Sequence, residues 1–414
     1  MKRKKILIAG AGIGGLTAAA CLLKEGFDVD VFEQARVLKE VGAGVQLPAN
    51  AMHIMRHVGL EEAVMRAGVR AKGYEFRLHD TGEVIHQFPL FDEHLQRHGA
   101  PFVQIHRADL QALLVAKVRE LKRDAVHLNK KATGFAEQAD SVELRFADGS
   151  TARGDVLLGA DGVKSAVSKQ IIGGFRTEYT GITAWRILVP SEDIPAELRL
   201  DQVTSIFIGG GTHAICYYVR GGSLMNFCGE VQVPEASEEA WTRKSSWSAL
   251  KKDFEGWHPS IQAIIDSASK DQCYRWSLFS RQPARNWSTH RATLLGDAAH
   301  PALPFLAQGA GMAMEDAVIF TRSLLKAADV SEALHMYQYN RMTRTAHATE
   351  RTEANRATFE LRTEGEIRGA YAAANEGKDR NGWLYSYNAL TVPLEKPPIF
   401  STEDMLARHQ GVGS

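Results

Sequence analysis

A chain of 414 residues is too long for one ordinary core, so two or three packing units are expected. With 44% hydrophobic and 24% charged residues, its composition is that of a soluble globular protein. The 49 basic and 49 acidic residues cancel, which removes any long-range pull towards nucleic acid or an anionic membrane, and neither is expected as a partner.

The basic start Met1-Lys2-Arg3-Lys4-Lys5 precedes an apolar run, Ile6-Leu7-Ile8-Ala9, that glycines interrupt. The run is too short and too glycine-rich for a secretory leader. No window approaches the roughly 18 apolar residues of a membrane span. Residues 4–9 read as a buried parallel strand, 14–25 as a helix ending at Gly26, and 28–32 as the next strand, which makes a βαβ unit. Residues 50–68 read as helix with a break near Gly59, and 107–122 as an amphipathic helix after His106. Alternation over 126–149 suggests a hairpin, with Asp148-Gly149 as its turn signal. Residues 154–158 read as another buried strand, closed by Gly159-Ala160-Asp161-Gly162. Residues 180–232, rich in Val, Ile, Tyr, Phe and Gly, read as an antiparallel sheet. Helix returns over 238–269. Residues 291–295 form a further buried strand running into Gly296-Asp297, and a long helical region follows over 309–377. Four scattered cysteines (Cys21, Cys216, Cys228, Cys273), none in a CxxC pair, fit reduced thiols in a cytoplasmic enzyme, and no metal site is expected.

The strand-ending glycine motifs near 10, 159 and 296 point to an α/β fold. A Rossmann-like cofactor domain is built from discontinuous segments (1–72, 100–178 and 275–350). A sheet domain for the substrate is inserted (73–99 and 179–274), and a helical C-terminal region covers 351–414. In Gly10-Ala11-Gly12-Ile13-Gly14-Gly15, Gly10 permits the tight turn and Gly12 lets backbone amides approach a pyrophosphate. Gly15 lets the helix pack closely on the strand. The diphosphate then meets the positive end of the helix dipole. Glu33, ending the second strand, should accept hydrogen bonds from ribose hydroxyls, with Gln34 beside it. This fingerprint alone does not separate NAD from FAD, and a glycine turn without ligand is the plain alternative.

Two further motifs narrow the choice: Gly159-Ala160-Asp161-Gly162 and Gly296-Asp297-Ala298-Ala299-His300-Pro301. With them, the chain over about residues 5–350 resembles the class A flavoprotein monooxygenases, the family of para-hydroxybenzoate and salicylate hydroxylases. The resemblance implies FAD as cofactor, with Asp297 on the ribityl chain and Arg107 reaching the FAD. It also implies that Asp161 supports the flavin pocket, and that the loop Glu40-Val41-Gly42-Ala43-Gly44-Val45-Gln46 runs alongside the flavin. Gln308-Gly309-Ala310-Gly311 reads as a glycine-opened helix start whose amides could stabilise the reduced flavin anion; closure of that helix on its own loop is the alternative. His300 is kept as structural.

His213 and Tyr217 are four apart on one strand and therefore share a face. Their His-x-x-x-Tyr pattern is similar to that of hydroxylases acting on 3-hydroxybenzoate or 6-hydroxynicotinate. A near-neutral histidine suits removal of a phenol proton; a sheet histidine with a satisfied hydrogen bond is the alternative. The resemblance implies a monooxygenase in which NADH or NADPH reduces FAD, O2 adds at flavin C4a, and the hydroperoxide hydroxylates a small hydroxylated aromatic or pyridine acid; a flavin-dependent reductase or oxidase of the same fold, without ring hydroxylation, is the alternative. Decarboxylation could accompany that step. The nicotinamide cosubstrate needs no second glycine fingerprint in this family, and none is present. Where several relatives carry glutamine or histidine after the Ala-His-Pro segment, this chain has Pro304 and Phe305, so their substrate cannot be copied. A monomer or homodimer is expected.

Overall fold

A computed structural model describes residues 4–38, 43–235, 243–282, 284–372 and 381–397. The expected loop residues Glu40, Val41 and Gly42, the helical expectations at 238–242 and 373–377, and the tail beyond 397 lie outside the described residues.

The first layer is a five-stranded parallel sheet in the order Ala292–Leu294, Val156–Gly159, Lys5–Ala9, Asp28–Phe32, Val126–His127. Ile6, Leu7, Ile8 and Ala9 are all fully buried, as expected of a strand covered on both faces. The helix Ile13–Lys24 starts one residue earlier than its sequence suggested and is buried from Ile13 to Leu22. Its run of Ala18, Ala19 and Ala20 lets it sit between the helices Arg107–Leu121 and Gly309–Lys326. Gly26, at φ +84°, turns the chain back into the sheet.

The alternating stretch after 126 becomes a three-stranded antiparallel sheet, Ala132–Glu137, Val142–Phe146 and Thr151–Gly154, with Asp148-Gly149 in its second turn. The strand expected at 154–158 begins at Val156, because Gly154 still belongs to this small sheet.

The second layer is a seven-stranded sheet in the order Tyr274–Arg281, Thr177–Pro190, Leu224–Gln232, Thr212–Val219, Thr204–Gly209, Gly73–Leu78, Val84–Pro89. Its expected antiparallel character holds at every join but one: Thr204–Gly209 pairs parallel with Gly73–Leu78. Two strands so far apart in the chain need no hairpin, so nothing forces them to run in opposite directions. One face packs Trp185, Phe207 and Phe227 against Phe254 and the short helices Trp247–Asp253 and Pro259–Asp266. The other face looks towards the parallel sheet. It is roofed by Phe305 and by Phe359, which lies at the end of the long helix Val330–Phe359. The strand Gly44–Leu47, paired with Val103–His106, bridges the two layers. Among the described residues no helix is long and apolar enough to cross a membrane.

Candidate active site

At the glycine turn, Gly10 has φ +106°, and a Cβ there would lie 2.3 Å from the Ala160 carbonyl oxygen. A Cβ on Gly15 would lie 2.1 Å from the carbonyl oxygen of Gly10. Both positions therefore exclude a side chain by backbone contact. Gly12 differs: a Cβ there would meet nothing within 4 Å, so its outward side is open space. The helix Ile13–Lys24 has no side-chain cap and no acid in its first turn. Its first amides keep their partial positive charge for something outside the helix. Glu33 accepts from the backbone N–H groups of Ala11 (2.9 Å) and Ala35 (2.9 Å), which fixes the turn from behind.

The Gly296–Asp297 turn is held by a buried ionic network. Asp316 Oδ2 accepts from Gly296 N–H (2.9 Å) and lies 2.6 Å from His300 Nε2. Asp316 Oδ1 pairs with Arg341 Nε at 2.6 Å. Arg341 also reaches Glu315 (2.8 Å), which in turn takes Arg344 (2.6 Å) and Asn50 (2.7 Å). Glu315, Asp316 and Arg341 are all completely buried. His300 thus serves this turn, in keeping with a structural role. Asp297 is exposed and faces the cavity described next.

One cavity of about 700 Å³ runs between the two sheets, within the size range of small-molecule sites. At its first end it is lined by Gly12, Ile13, Gly14, Gly296 and Asp297. Along its middle lie Gly44, Val45, Gln46, Arg107, Gly309 and Ala310. The helix Gly309–Lys326 is also uncapped and lacks an acid in its first turn, so two helix N-termini converge on one space. Two such positive ends, an open glycine face and an exposed carboxylate fit a dinucleotide carrying a diphosphate, hydroxyls and a ring that becomes anionic.

The floor comes from the seven-stranded sheet. Ile215 and Tyr217 project from one strand, and Asn226, Cys228 and Glu230 project from its neighbour. Arg186 joins them, its guanidinium 4.7 Å over the Trp276 ring. Asn226 Oδ1 accepts from Gly44 N–H at 2.7 Å, tying the bridging strand to the floor. The Tyr217 ring rests against Gly44, where a Cβ would come within 2.4 Å of it. Burial drives the Tyr217 phenol well above its ordinary range, so it keeps its proton and can donate a hydrogen bond.

The structure does not gather every expected residue at the cavity wall. Gly10, Gly15, Glu33, Gln34 and Asp161 are not part of its lining. Asp161 instead caps a helix, accepting from Ser165 Oγ and from Ala166 N–H (2.8 Å). Gln46 is engaged by the Tyr74 hydroxyl and by Thr204 (3.4 Å). His213 lies on the expected face but one layer behind the wall, stacked on Phe359 at 4.3 Å and 5.9 Å from Phe305. Sequence reasoning missed Arg186, Asn226, Cys228 and Glu230. The signal was there for three of them: polar side chains at 226, 228 and 230 alternate with Phe227, Gly229 and Val231 along the strand.

Comparison with known proteins was consistent across sequence and structure. A family model described as an FAD binding domain matches residues 3–352. The chain is 34% identical over 394 residues to a 3-amino-4-hydroxybenzoate 2-monooxygenase, PtmB3, of Streptomyces platensis, covering 94% of this chain and 98% of that one. It is 32% identical over 402 residues to a 6-hydroxynicotinate 3-monooxygenase of Pseudomonas fluorescens, covering 95% and 98%. Among solved structures, Klebsiella pneumoniae HpxO complexed with FAD and uric acid superposes with a TM-score of 0.82 at 28% identity, covering 95% of this chain and 98% of that one.

Proposed function

Because the chain belongs to the FAD-binding class A flavoprotein aromatic hydroxylases, we propose that it adds one oxygen atom from O2 to a small hydroxylated aromatic or N-heteroaromatic acid. NADH or NADPH is the reductant in this reading. The observation that carries it is one continuous cavity whose two halves differ in kind. One half has two uncapped helix ends and the Asp297 carboxylate; the other is a sheet floor bearing Arg186, Tyr217, Asn226 and Glu230.

Bound FAD would supply the two-electron redox chemistry of the reaction. The protein's own part is binding, orientation and charge. The Gly12–Gly14 end of its helix takes the diphosphate, and Asp297 accepts from the ribityl hydroxyls. Amides at Gly309 and Ala310, with Arg107 nearby, favour negative charge on the ring system. Glu33 stands at the adenosine end; Gln34 beside it is exposed. Arg186 attracts an acid substrate to the floor, and Tyr217 donates a hydrogen bond that orients its ring.

Replacing Asp297 by alanine removes a charge-assisted acceptor worth about 1.5–3 kcal/mol. FAD affinity is expected to fall by roughly tenfold or more, while the melting temperature of FAD-free protein stays put because Asp297 is exposed; titration of apoprotein with FAD reads the first and thermal unfolding the second. The activity itself is tested by screening aromatic acids for stimulated NADH and NADPH oxidation under ¹⁸O2. A product heavier by one labelled oxygen is expected, and replacement of a carboxylate would show as its mass loss. Product without label from every active acid would overturn the hydroxylase reading.

A further inference from the structure

Glu230 has His213 as its cross-strand neighbour on one side and Ala184 on the other. It is 3% exposed and lines the cavity, and its Oε2 has no hydrogen-bond partner. A buried acceptor left unpaired is costly, so a carboxyl kept in a cavity wall calls for a ligand that meets it. His213 does not meet it: its Nε2 stands 3.9 Å from Oε2 and is unpaired as well. Beyond Ala184, in the same cross-strand row, comes Trp276. Arg186 starts two residues along from Ala184, but its guanidinium lies over the Trp276 ring at 4.7 Å. The row therefore presents a cation, the bare methyl of Ala184 and a carboxyl in succession, with Arg186 and Glu230 both lining the cavity.

We propose that Arg186 and Glu230 together form a recognition end for an aromatic acid carrying an amino group ortho to its carboxylate, an inference that rests on the hydroxylase reading above. Arg186 takes the carboxylate, and Glu230 accepts a hydrogen bond from the amino N–H. Glu230 and Trp276 are separated by two strand spacings, about 10 Å. That distance spans two neighbouring ring substituents with a hydrogen bond at each end. An ortho hydroxyl serves less well. Its single hydrogen is taken by the adjacent carboxylate, whereas an amino group has two and keeps one for Glu230.

The charges suit this pairing. Burial pushes the Glu230 carboxyl up to about 8, against the opposing pull of Arg186 and Arg356, so it holds its proton at neutral pH. A neutral acid does not repel the substrate carboxylate, and it leaves the charge of Arg186 to that carboxylate. Its carbonyl oxygen still accepts from N–H. His213, which burial holds neutral down to about 3, adds no charge of its own. Phe305 and Phe359 line the same cavity and stand against His213, so the hydrogen bond to Glu230 forms beside apolar rings, where it is stronger than in water.

The test is binding to the oxidised holoenzyme, read by the change in flavin absorbance, with 2-aminobenzoate, 2-hydroxybenzoate, 4-aminobenzoate and benzoate as probes. Wild type is expected to bind 2-aminobenzoate roughly tenfold tighter than each of the others. Glu230→Leu removes an unpaired buried carboxyl, so it should fold, and its affinities for all the probes should lie within about threefold of one another. Glu230→Gln keeps an acceptor and should keep the preference. If wild type binds 2-aminobenzoate no tighter than 4-aminobenzoate or 2-hydroxybenzoate, or binds none of the probes, the recognition end is overturned whether or not either variant folds. A preference that survives Glu230→Leu overturns it too. None of these outcomes touches the hydroxylase reading, which the ¹⁸O label of the product decides separately.

Discussion

Arg341→Ala is expected to lower the stability of the FAD-saturated protein by about 3–5 kcal/mol, measured by denaturant unfolding. Arg341 is completely buried and divides its guanidinium between Asp316 (2.6 Å) and Glu315 (2.8 Å). Alanine leaves two completely buried carboxylates with Arg344 and His300 as their remaining charged partners. Such a loss is a large share of the roughly 5–15 kcal/mol that typically holds a protein folded. The pH response follows. Burial alone would push Asp316 up, but His300 and Arg341 outweigh it and hold the carboxyl at about 2, below its ordinary 3.8. A depressed carboxylate adds stability that is complete above about pH 4 and disappears as pH falls towards 2. Without Arg341 that depression shrinks, and acid unfolding should begin at a higher pH. A variant within about 1 kcal/mol of wild type would show that the network is dispensable.

Two glycines of one turn should separate folding from cofactor binding. Gly15→Ala places a Cβ 2.1 Å from the Gly10 carbonyl oxygen, and backbone cannot yield as a side-chain tip does. The helix must move off the strand at an overpacking cost of about 1–3 kcal/mol, which lowers the melting temperature and misaims the amides that meet the diphosphate. Gly12→Ala has the opposite profile. Its φ of −72° suits alanine, and the added methyl meets no protein atom within 4 Å. Stability of the FAD-free protein should not change, yet FAD affinity should drop roughly 10²-fold or more, since the methyl occupies the approach of the pyrophosphate. Gly12→Ala protein that purifies fully yellow with wild-type affinity would place the diphosphate elsewhere.

Local features were legible in the sequence where the physics is local. The buried strand at 4–9, the glycine turn and the helix after it read directly, because a strand covered on both faces is a continuous apolar run. The break near Gly59 was also local, and it separates the helices Ala49–His57 and Glu61–Ala67. Pairings between distant segments were harder. Nothing in residues 73–78 announces that they join 204–209 in parallel, because that register is set by the packing of both faces. For His213, strand alternation indicated the face but not the depth. How far along the strand the cavity extends depends on Phe305 and Phe359, which arrive from other elements. Glu230 escaped for the same reason, since its meaning depends on a cross-strand neighbour 17 positions earlier in the chain. The Arg341 network was invisible: its two acids and two arginines lie on two successive helices while Asn50 and His300 reach it from other segments, and an arginine inside a long helix ordinarily reads as surface.

The cavity also constrains the order of events during synthesis. Its walls draw on Gly12, Gly44, Arg107, Arg186, Glu230, Asp297 and Gly309, spread over most of the chain. A nascent polypeptide that has emerged only through the seven-stranded sheet carries the glycine turn but lacks Asp297 and the helix opening at Gly309. The turn that presents Asp297 is held by Asp316, which in turn needs Arg341. Capture of the cofactor therefore belongs to the end of translation or after it, and until then the apolar walls of both sheets stand open to solvent and to chaperones.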